Sequence, residues 1–383
     1  MGYTKWTVLM MLSSVAMMMG PITGLCVADD MDGYENAEDV EWSTAYNLYY
    51  GDLHAHSDYS DGWGTPIEAF TAARDNGADF FALTDHHYQM TPEMFIEEQL
   101  LADSFTTSEF VAMAAVEYYI PGLGEMNIFN ITDFDFGVFY NGYTGYDKTI
   151  RPNALPSLYD AIAAREGAVG MWVHPLWAYS KQFEMYDYLT PERDQAVGIF
   201  EMHNLGSWVT YDQLSYEPDY ILALDAGWHV LPSAVSDTHI ADWIWGYDVR
   251  TVLLAEELTR DCLYDAMSSQ RGYATLDKNL RMYYELNGAV MGSTLEEQTS
   301  EYVAHIYVED PDGTPEDEIT LIEVISDGGE VVATIEASGA LVDIVVELSS
   351  EDASYFYLRI STASNVTGGE GYTAWSSPVW TGR

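Results

Sequence analysis

Gly51-Asp52-Leu53-His54-Ala55-His56-Ser57-Asp58-Tyr59-Ser60-Asp61-Gly62 sets two imidazoles two residues apart and a carboxylate five residues further on. Where such a stretch leaves a strand, side chains alternate between faces, so His54 and His56 share one face and the turn carries Asp61 back towards them. That is the pattern of a metal site. An H-x-H triplet also arises by chance, so its reading depends on the rest of the chain.

The rest of the chain repeats the theme. There are only nine histidines, and His86 in Leu83-Thr84-Asp85-His86-His87, His174 in Met171-Trp172-Val173-His174-Pro175, His203 in Glu201-Met202-His203-Asn204 and His239 in Ser236-Asp237-Thr238-His239 stand beside carboxylates or at the ends of apolar runs. His87 would point away from His86 on a continuing strand and is expected to pack. His203 and Glu201 lie at a strand end and are either orienting or substrate-contacting groups or ordinary structural ones, and His229 and His305 are expected as ordinary residues.

From Asn47 the sequence reads strand, polar turn, helix, repeatedly. Strands are expected over 48–53, 80–84, 110–116, 169–173, 197–200, 231–236 and 251–255, and helices over 66–76, 92–105, 157–166 and 260–270. Pro66 suits a first helical position, and Gly77, Gly167 and Gly272 suit helix stops. Alternation of this kind implies an α/β fold with a mostly parallel sheet, and some seven units suggest a closed barrel. In such a barrel, reactive groups sit at the C-terminal ends of strands, where His86, Glu117, His174, Glu201 and Asp237 fall.

The texture changes after Asp277-Lys278-Asn279. Short β-branched or aromatic runs, separated by Gly, Pro, Asp and Ser, predict a small all-β sandwich-like domain over 281–383 behind a barrel over 47–280. Ahead of both, Lys5, the apolar run 8–19 and Cys26-Val27-Ala28 read as an export signal over 1–28, with an uncleaved anchor as the alternative. Residues 29–46 read as an acidic linker. Together these imply a secreted or cell-surface protein with no membrane span once the signal is removed. Cys262 would then be the one remaining cysteine, so an intramolecular disulfide is excluded. Asn130-Ile131-Thr132 and Asn365-Val366-Thr367 are sequons, which matter only in a glycosylating host.

Acidic residues outnumber basic ones 62 to 14, giving a formal charge of -48. No basic stripe is available to neutralise phosphates, which excludes nucleic acid as a partner. Such self-repulsion is relieved by salt, so a saline habitat is expected. Four or more imidazoles with several carboxylates exceed what one ion needs. Mixed nitrogen and oxygen donors favour two or three Zn, Mn or Fe ions over calcium or structural zinc. Ions sharing a carboxylate lower the pKa of a water and clamp a phosphoryl group.

The ordered set His54-Ala55-His56 with Asp61, Thr84-Asp85-His86, Glu117, His174-Pro175 and Asp237-Thr238-His239 resembles the motifs of the PHP (polymerase and histidinol phosphatase) superfamily. An exported form with a β domain, closing on Ala374-Trp375-Ser376-Ser377-Pro378-Val379-Trp380, is similar to the branch that includes carbaryl-hydrolase-like proteins. The resemblance implies a distorted (β/α)7 barrel and a metal-dependent hydrolase, most often of phosphoesters, that uses a metal-activated hydroxide. Carried over by position, His54, His56, Glu117 and Asp237 would hold one ion. Glu117 would bridge to a second, held also by His174, and Asp61, His86 and His239 would hold a third. Glu117, Asp237 and His239 are then the residues expected to carry catalysis.

One position departs from the family pattern, which usually places a histidine for the second ion soon after the bridging glutamate. Here the segment is Gly124-Glu125-Met126-Asn127, so Glu125 is either an oxygen ligand or a surface acid. The substrate is expected to be a small-molecule phosphoester, or a carboxylic ester, carbamate or amide, since only Arg74, Lys181 and Arg193 are loose candidates for a phosphate cradle. A third reading is a metal-stabilised binding module, with the C-terminal domain attaching it to a cell surface.

Overall fold

The computed structural model describes residues 46–120, 122–135, 153–175, 182–205, 214–363 and 371–382. The export signal, nearly all of the acidic linker, Trp177, Tyr179, Lys181, Trp208 and the sequon at Asn365 lie outside the described residues. Among the described residues no helix is long and apolar enough to cross a membrane.

The strands are β1 (Asn47–Asp52), β2 (Phe80–Leu83), β3 (Val111–Ala114), β4 (Val116–Ile120), β5 (Gly124–Phe129), β6 (Val169–Val173), β7 (Val197–Asn204), β8 (Leu214–Ser215), β9 (Leu231–Val235), β10 (Arg250–Ala255) and β11 (Gly272–Thr275). Interleaved with them are α1 (Pro66–Asp75), α2 (Pro92–Phe105), α3 (Ala154–Ala163), α4 (Pro191–Ala196), α5 (Glu217–Asp225) and α6 (Arg260–Ser268). A run of strands closes the chain: β12 (Arg281–Leu286), β13 (Ala289–Val290), β14 (Glu301–Glu309), β15 (Ile319–Ser326), β16 (Glu330–Glu336), β17 (Leu341–Ser349), β18 (Tyr355–Thr362), β19 (Ala374–Ser376) and β20 (Val379–Trp380).

Helix starts are written in the sequence. Thr65, Thr91, Thr190 and Thr259 each accept a backbone N–H of the first turn, and Pro follows the first three at a position whose N–H would go unused. At α1, Glu68 reaches back to Thr65 N at 2.8 Å, completing a reciprocal cap.

The fold is mixed α/β, built from three sheets. One runs β16-β15-β18-β19-β11-β10-β1-β2-β3, with β20 beside β18. A second runs β13-β12-β14-β17, and the third β4-β5-β6-β7-β8, with β9 beside β7. The expected closed barrel of parallel strands is not what the hydrogen bonds form, because among the described residues none of the three sheets closes. The strand expected over 110–116 is interrupted at Ala115, and β4 and β5 make an antiparallel hairpin that the simple alternation did not include. Strands β1/β10 and β10/β11 are also antiparallel. Single bridges, Ala55 with Thr238 and His86 with Glu117, join the first and third sheets.

Strands of both halves of the sequence share the first sheet through the β11/β19 pair. Packed between it and the four-stranded sheet are Val252, Leu254 and Tyr273 with Met282, Tyr284, Ile306, Val324 and Leu358. A separate aromatic core surrounds Trp172, whose ring meets Phe183, Tyr186, Phe200 and Trp228 at centroid distances of 5.8, 5.0, 6.1 and 5.0 Å. The Trp172 indole N–H donates to the Tyr159 hydroxyl at 2.9 Å, so the buried polar edge is satisfied.

Arg359 of β18 ties the C-terminal strands to α5. Its guanidinium lies 3.1 Å from Glu217 and 2.8 Å from Glu323, and Tyr357 donates to Glu217 at 2.6 Å. Removing one partner of a buried pair strands the other charge, so Arg359→Met is expected to cost about 3–5 kcal/mol in urea denaturation. Pairing it with Glu217→Gln is expected to recover much of that loss. Equal losses in the single and double variants would contradict this account of the joint.

Candidate metal centre

The site forms where the single bridges join two sheets. His54 and His56 follow β1 as an extended pair, held by His56 N to Thr238 O at 3.0 Å and Asp237 N to His54 O at 2.9 Å. Both imidazoles point the same way, with their Nε2 atoms 3.3 Å apart. His86 follows β2, Glu117 lies on β4, Glu125 on β5, and His174 and Asp237 follow β6 and β9. His174 and Asp237 both have left-handed backbones, φ 29 and 50, a conformation that costs non-glycine residues on the order of 1–3 kcal/mol and clusters at functional sites.

The first four residues make a compact polyhedron. His54 Nε2 stands 3.5 Å from Glu117 Oε2 and 3.3 Å from Asp237 Oδ1. His56 Nε2 stands 3.3 Å and 3.2 Å from the same two oxygens. Donors about 2.1 Å from a tetrahedral ion are about 3.4 Å from one another, so these edges fit one divalent cation. Glu117 Oε2 also lies 2.9 Å from His86 Nδ1. Among the described residues neither of those two buried atoms has a hydrogen-bond partner, so both are available as ligands.

Glu117 continues the cluster through its other oxygen, with Oε1 3.0 Å from His174 Nε2. Glu125 faces this second group: its Oε2 is 3.6 Å from His174 Nε2 and its Oε1 is 3.8 Å from His86 Nδ1. It is therefore an acid of the cluster, placed by β5 opposite Val173. A third group gathers around Asp61, whose Oδ1 lies 3.4 Å from His239 Nε2 and 3.7 Å from His86 Nε2, with His56 also in reach. All nine sequence-predicted ligands thus meet in one place.

Supporting residues fix these side chains. Glu201 accepts from His54 Nδ1 at 2.9 Å, His174 N at 2.8 Å and Asn204 Nδ2 at 2.7 Å. Asn204 also donates to Asp237 Oδ2 at 3.2 Å. With Nδ1 committed to Glu201, His54 presents Nε2 to the cluster, the second-layer arrangement typical of metal-binding imidazoles. Asp85 anchors the loop bearing Asp61 by accepting from Ser57 N at 2.9 Å and Ser57 Oγ at 2.6 Å. The sequence reading left Glu201 ambiguous and omitted Asn204 and the anchoring role of Asp85. Adjacency to His203 and His86 was the only signal.

Other histidines separate from the site. His87 stacks on Tyr118 at 4.0 Å and accepts from Tyr119 N at 3.2 Å. His203 is buried with neither ring nitrogen partnered among the described residues, and burial pushes it down to about 4. His229 pairs with Asp194 at 2.8 Å and His305 with Asp343 at 2.9 Å. Arg74 is engaged with Asp75 and Arg193 with Asp160.

No family model matches the chain, and no curated protein matches it in sequence. In structure it is similar to a two-domain protein from Bacteroides vulgatus containing a predicted PHP-like metal-dependent phosphoesterase, at 15% identity and TM-score 0.45, covering 90% of this chain and 100% of that one. It is also similar to the lesion-specific endonuclease EndoQ of Pyrococcus furiosus, at 14% identity and TM-score 0.36, covering 58% and 56%. An amidohydrolase from Chromobacterium violaceum shows 15% identity and TM-score 0.28, covering 50% of this chain and 87% of that one. At these values the chemistry of the site rests on its own side chains.

Charge and burial compete within the cluster. Burial alone would push the imidazoles down, but the carboxylates more than offset it, lifting His56 to about 10 through Asp237 and Glu117, and His174 to about 9 through Glu117. Burial would raise Asp61, yet His239 and His86 hold it at about 2. Glu125 is pushed up to about 7, by burial first and Glu117 second. In chelator-treated protein, the raised histidines contribute stability that is complete below about pH 6.5 and lost as pH rises through about 9 to 10. The depressed carboxylates contribute stability that is present above about pH 4 and lost as pH falls towards 2. The metal-free urea midpoint is therefore expected to peak between about pH 4.5 and 6.5 and to decline towards pH 10, whereas a metal-loaded sample keeps its midpoint through about pH 9. A flat chelator profile from pH 6.5 to 10 would contradict this assignment.

Proposed function

We propose that the chain is a metal-dependent hydrolase of the PHP kind, with the two bridged sheets forming an opened version of that family's distorted barrel. The observation that carries the reading is the set of 3.2–3.5 Å edges among His54, His56, Glu117 and Asp237, which match the donor spacing around a single divalent cation. His54, His56, Glu117 and Asp237 hold the first ion, Glu117, His174 and Glu125 the second, and Asp61, His86 and His239 the third. When bound, such ions lower the pKa of water and polarise a phosphoryl or acyl oxygen.

The chain's own residues hold the geometry and the protons. Glu201 keeps the His54 proton on Nδ1, and Asn204 orients Asp237. Asp237 and His239, at the rim beside the half-exposed Asp61, are placed to take a proton from the attacking water and pass one to the leaving group. With Glu125 in the position of a histidine, the second group is richer in oxygen, which favours Mn or Fe there over Zn.

Purified protein is expected to carry transition metal by elemental analysis and to turn over at least one of an aryl phosphate monoester, phosphodiester, carboxylic ester or carbamate. Asp237→Ala is expected to reduce kcat/KM by more than about 100-fold, and Glu201→Gln by about 10–100-fold. Protein without transition metal, together with an Asp237→Ala variant of unchanged stability and activity, would overturn the reading.

A further inference from the structure

A second acidic cluster lies in the turns where the chain crosses between sheets. Asp277 sits between β11 and β12, and Asp310 and Asp317 between β14 and β15. In both cases one flanking strand belongs to the large sheet and the other to the four-stranded sheet. The three carboxylates offer oxygens within 4.8 Å of one another. Lys278 stands beside this group, and its ammonium is engaged with Asp312 at 3.2 Å.

Like charges at this spacing repel, and one of them is deeply buried. Asp310 is 2% exposed; its Oδ1 accepts from Asp312 N at 3.1 Å, and its Oδ2 is buried with no hydrogen-bond partner among the described residues. On the Asp277 turn, Asn279 Oδ1 is another buried acceptor without a partner among the described residues. The neighbouring hydrogen bonds leave ligand atoms over. Asp277 Oδ1 takes the N–H groups of Asn279 and Leu280, both at 2.9 Å, and Asp317 Oδ2 takes the Thr314 hydroxyl at 2.6 Å. Each of these carboxylates retains its other oxygen.

We propose that Asp277, Asp310 and Asp317 form a calcium site that staples the sheet crossovers. The donors are all hard oxygens, which excludes the nitrogen-rich chemistry of the histidine centre and selects an alkaline-earth ion. Ligands drawn from separate turns suit the irregular coordination of calcium better than the strict octahedron of magnesium. Bound there, the cation supplies the partner that Asp310 Oδ2 lacks and cancels the repulsion across the turns.

The test uses the full chain in about 1 M NaCl, which screens diffuse binding to the acidic surface. Calcium alone is titrated calorimetrically into wild type, Asp310→Asn, Asp317→Asn and the exposed control Glu297→Gln, and melting is followed with and without calcium. Wild type and the control are expected to bind one calcium with a Kd on the order of 10⁻⁴ M or tighter and to melt higher with calcium. Asp310→Asn and Asp317→Asn are expected to bind at least about tenfold more weakly, while Asp310→Asn without calcium melts at or above wild type because a repelling charge is gone. Equal calcium affinity in wild type and Asp310→Asn, no calcium-dependent melting shift in wild type, or a large loss of stability in calcium-free Asp310→Asn would each overturn the site.

Discussion

The structure depends on one buried carboxylate. Glu117 is 1% exposed and has His54, His56, His86 and His174 within 2.9–3.5 Å of its two oxygens. Burying an ionised carboxylate costs several kcal/mol unless opposite charge surrounds it, and here protons on imidazoles or bound cations must supply that charge. The sheet architecture is arranged to bring the partners in. Strand β4 carries Glu117 into the bridge with His86, and the extensions of β1 and β9 bridge through Ala55 and Thr238.

Around that carboxylate, polar residues are committed in layers. Glu201 fixes His54 and the His174 backbone, Asn204 fixes Asp237, and Asp85 fixes the loop that presents Asp61. Rotamers locked in this way keep the donor atoms at ligand spacing. Much of the left-handed backbone at His174 and Asp237 follows from the same demand, since each residue must turn its side chain inward just as its strand ends.

Eight of the nine residues that meet in the cluster stand in the ordered motifs, most of them as polar residues at the ends of apolar runs, and Glu125 is the position those motifs leave open. The helices α1 and α2, which start at Thr-Pro, were equally readable, with α2 placed at Pro92–Phe105 as the caps imply, whereas α4, which also starts at Thr-Pro, was not read. The hairpin of β4 and β5 was not, because apolar periodicity cannot distinguish one long strand from two joined by a tight turn. The β4/β5 pairing is what places Glu125 in the cluster, the point the sequence left open. The way β15, β18 and β19 extend the same sheet as β1 to β3 was also hidden, since pairing between distant strands leaves no local mark. Asn204 escaped for a related reason: its role depends on Asp237, more than 30 residues away in sequence.

The central claim is that the histidine and carboxylate cluster is a metal centre organised on Glu117. Anomalous scattering from crystals of the purified protein, collected at the absorption edges of Mn, Fe and Zn, tests it most directly. The account predicts a peak within bonding distance of His54, His56, Glu117 and Asp237, with a further peak on the Glu125 side of Glu117. Crystals of metal-supplemented protein with no anomalous peak at Glu117, and with the four side chains hydrogen-bonded to one another or to water, would contradict it.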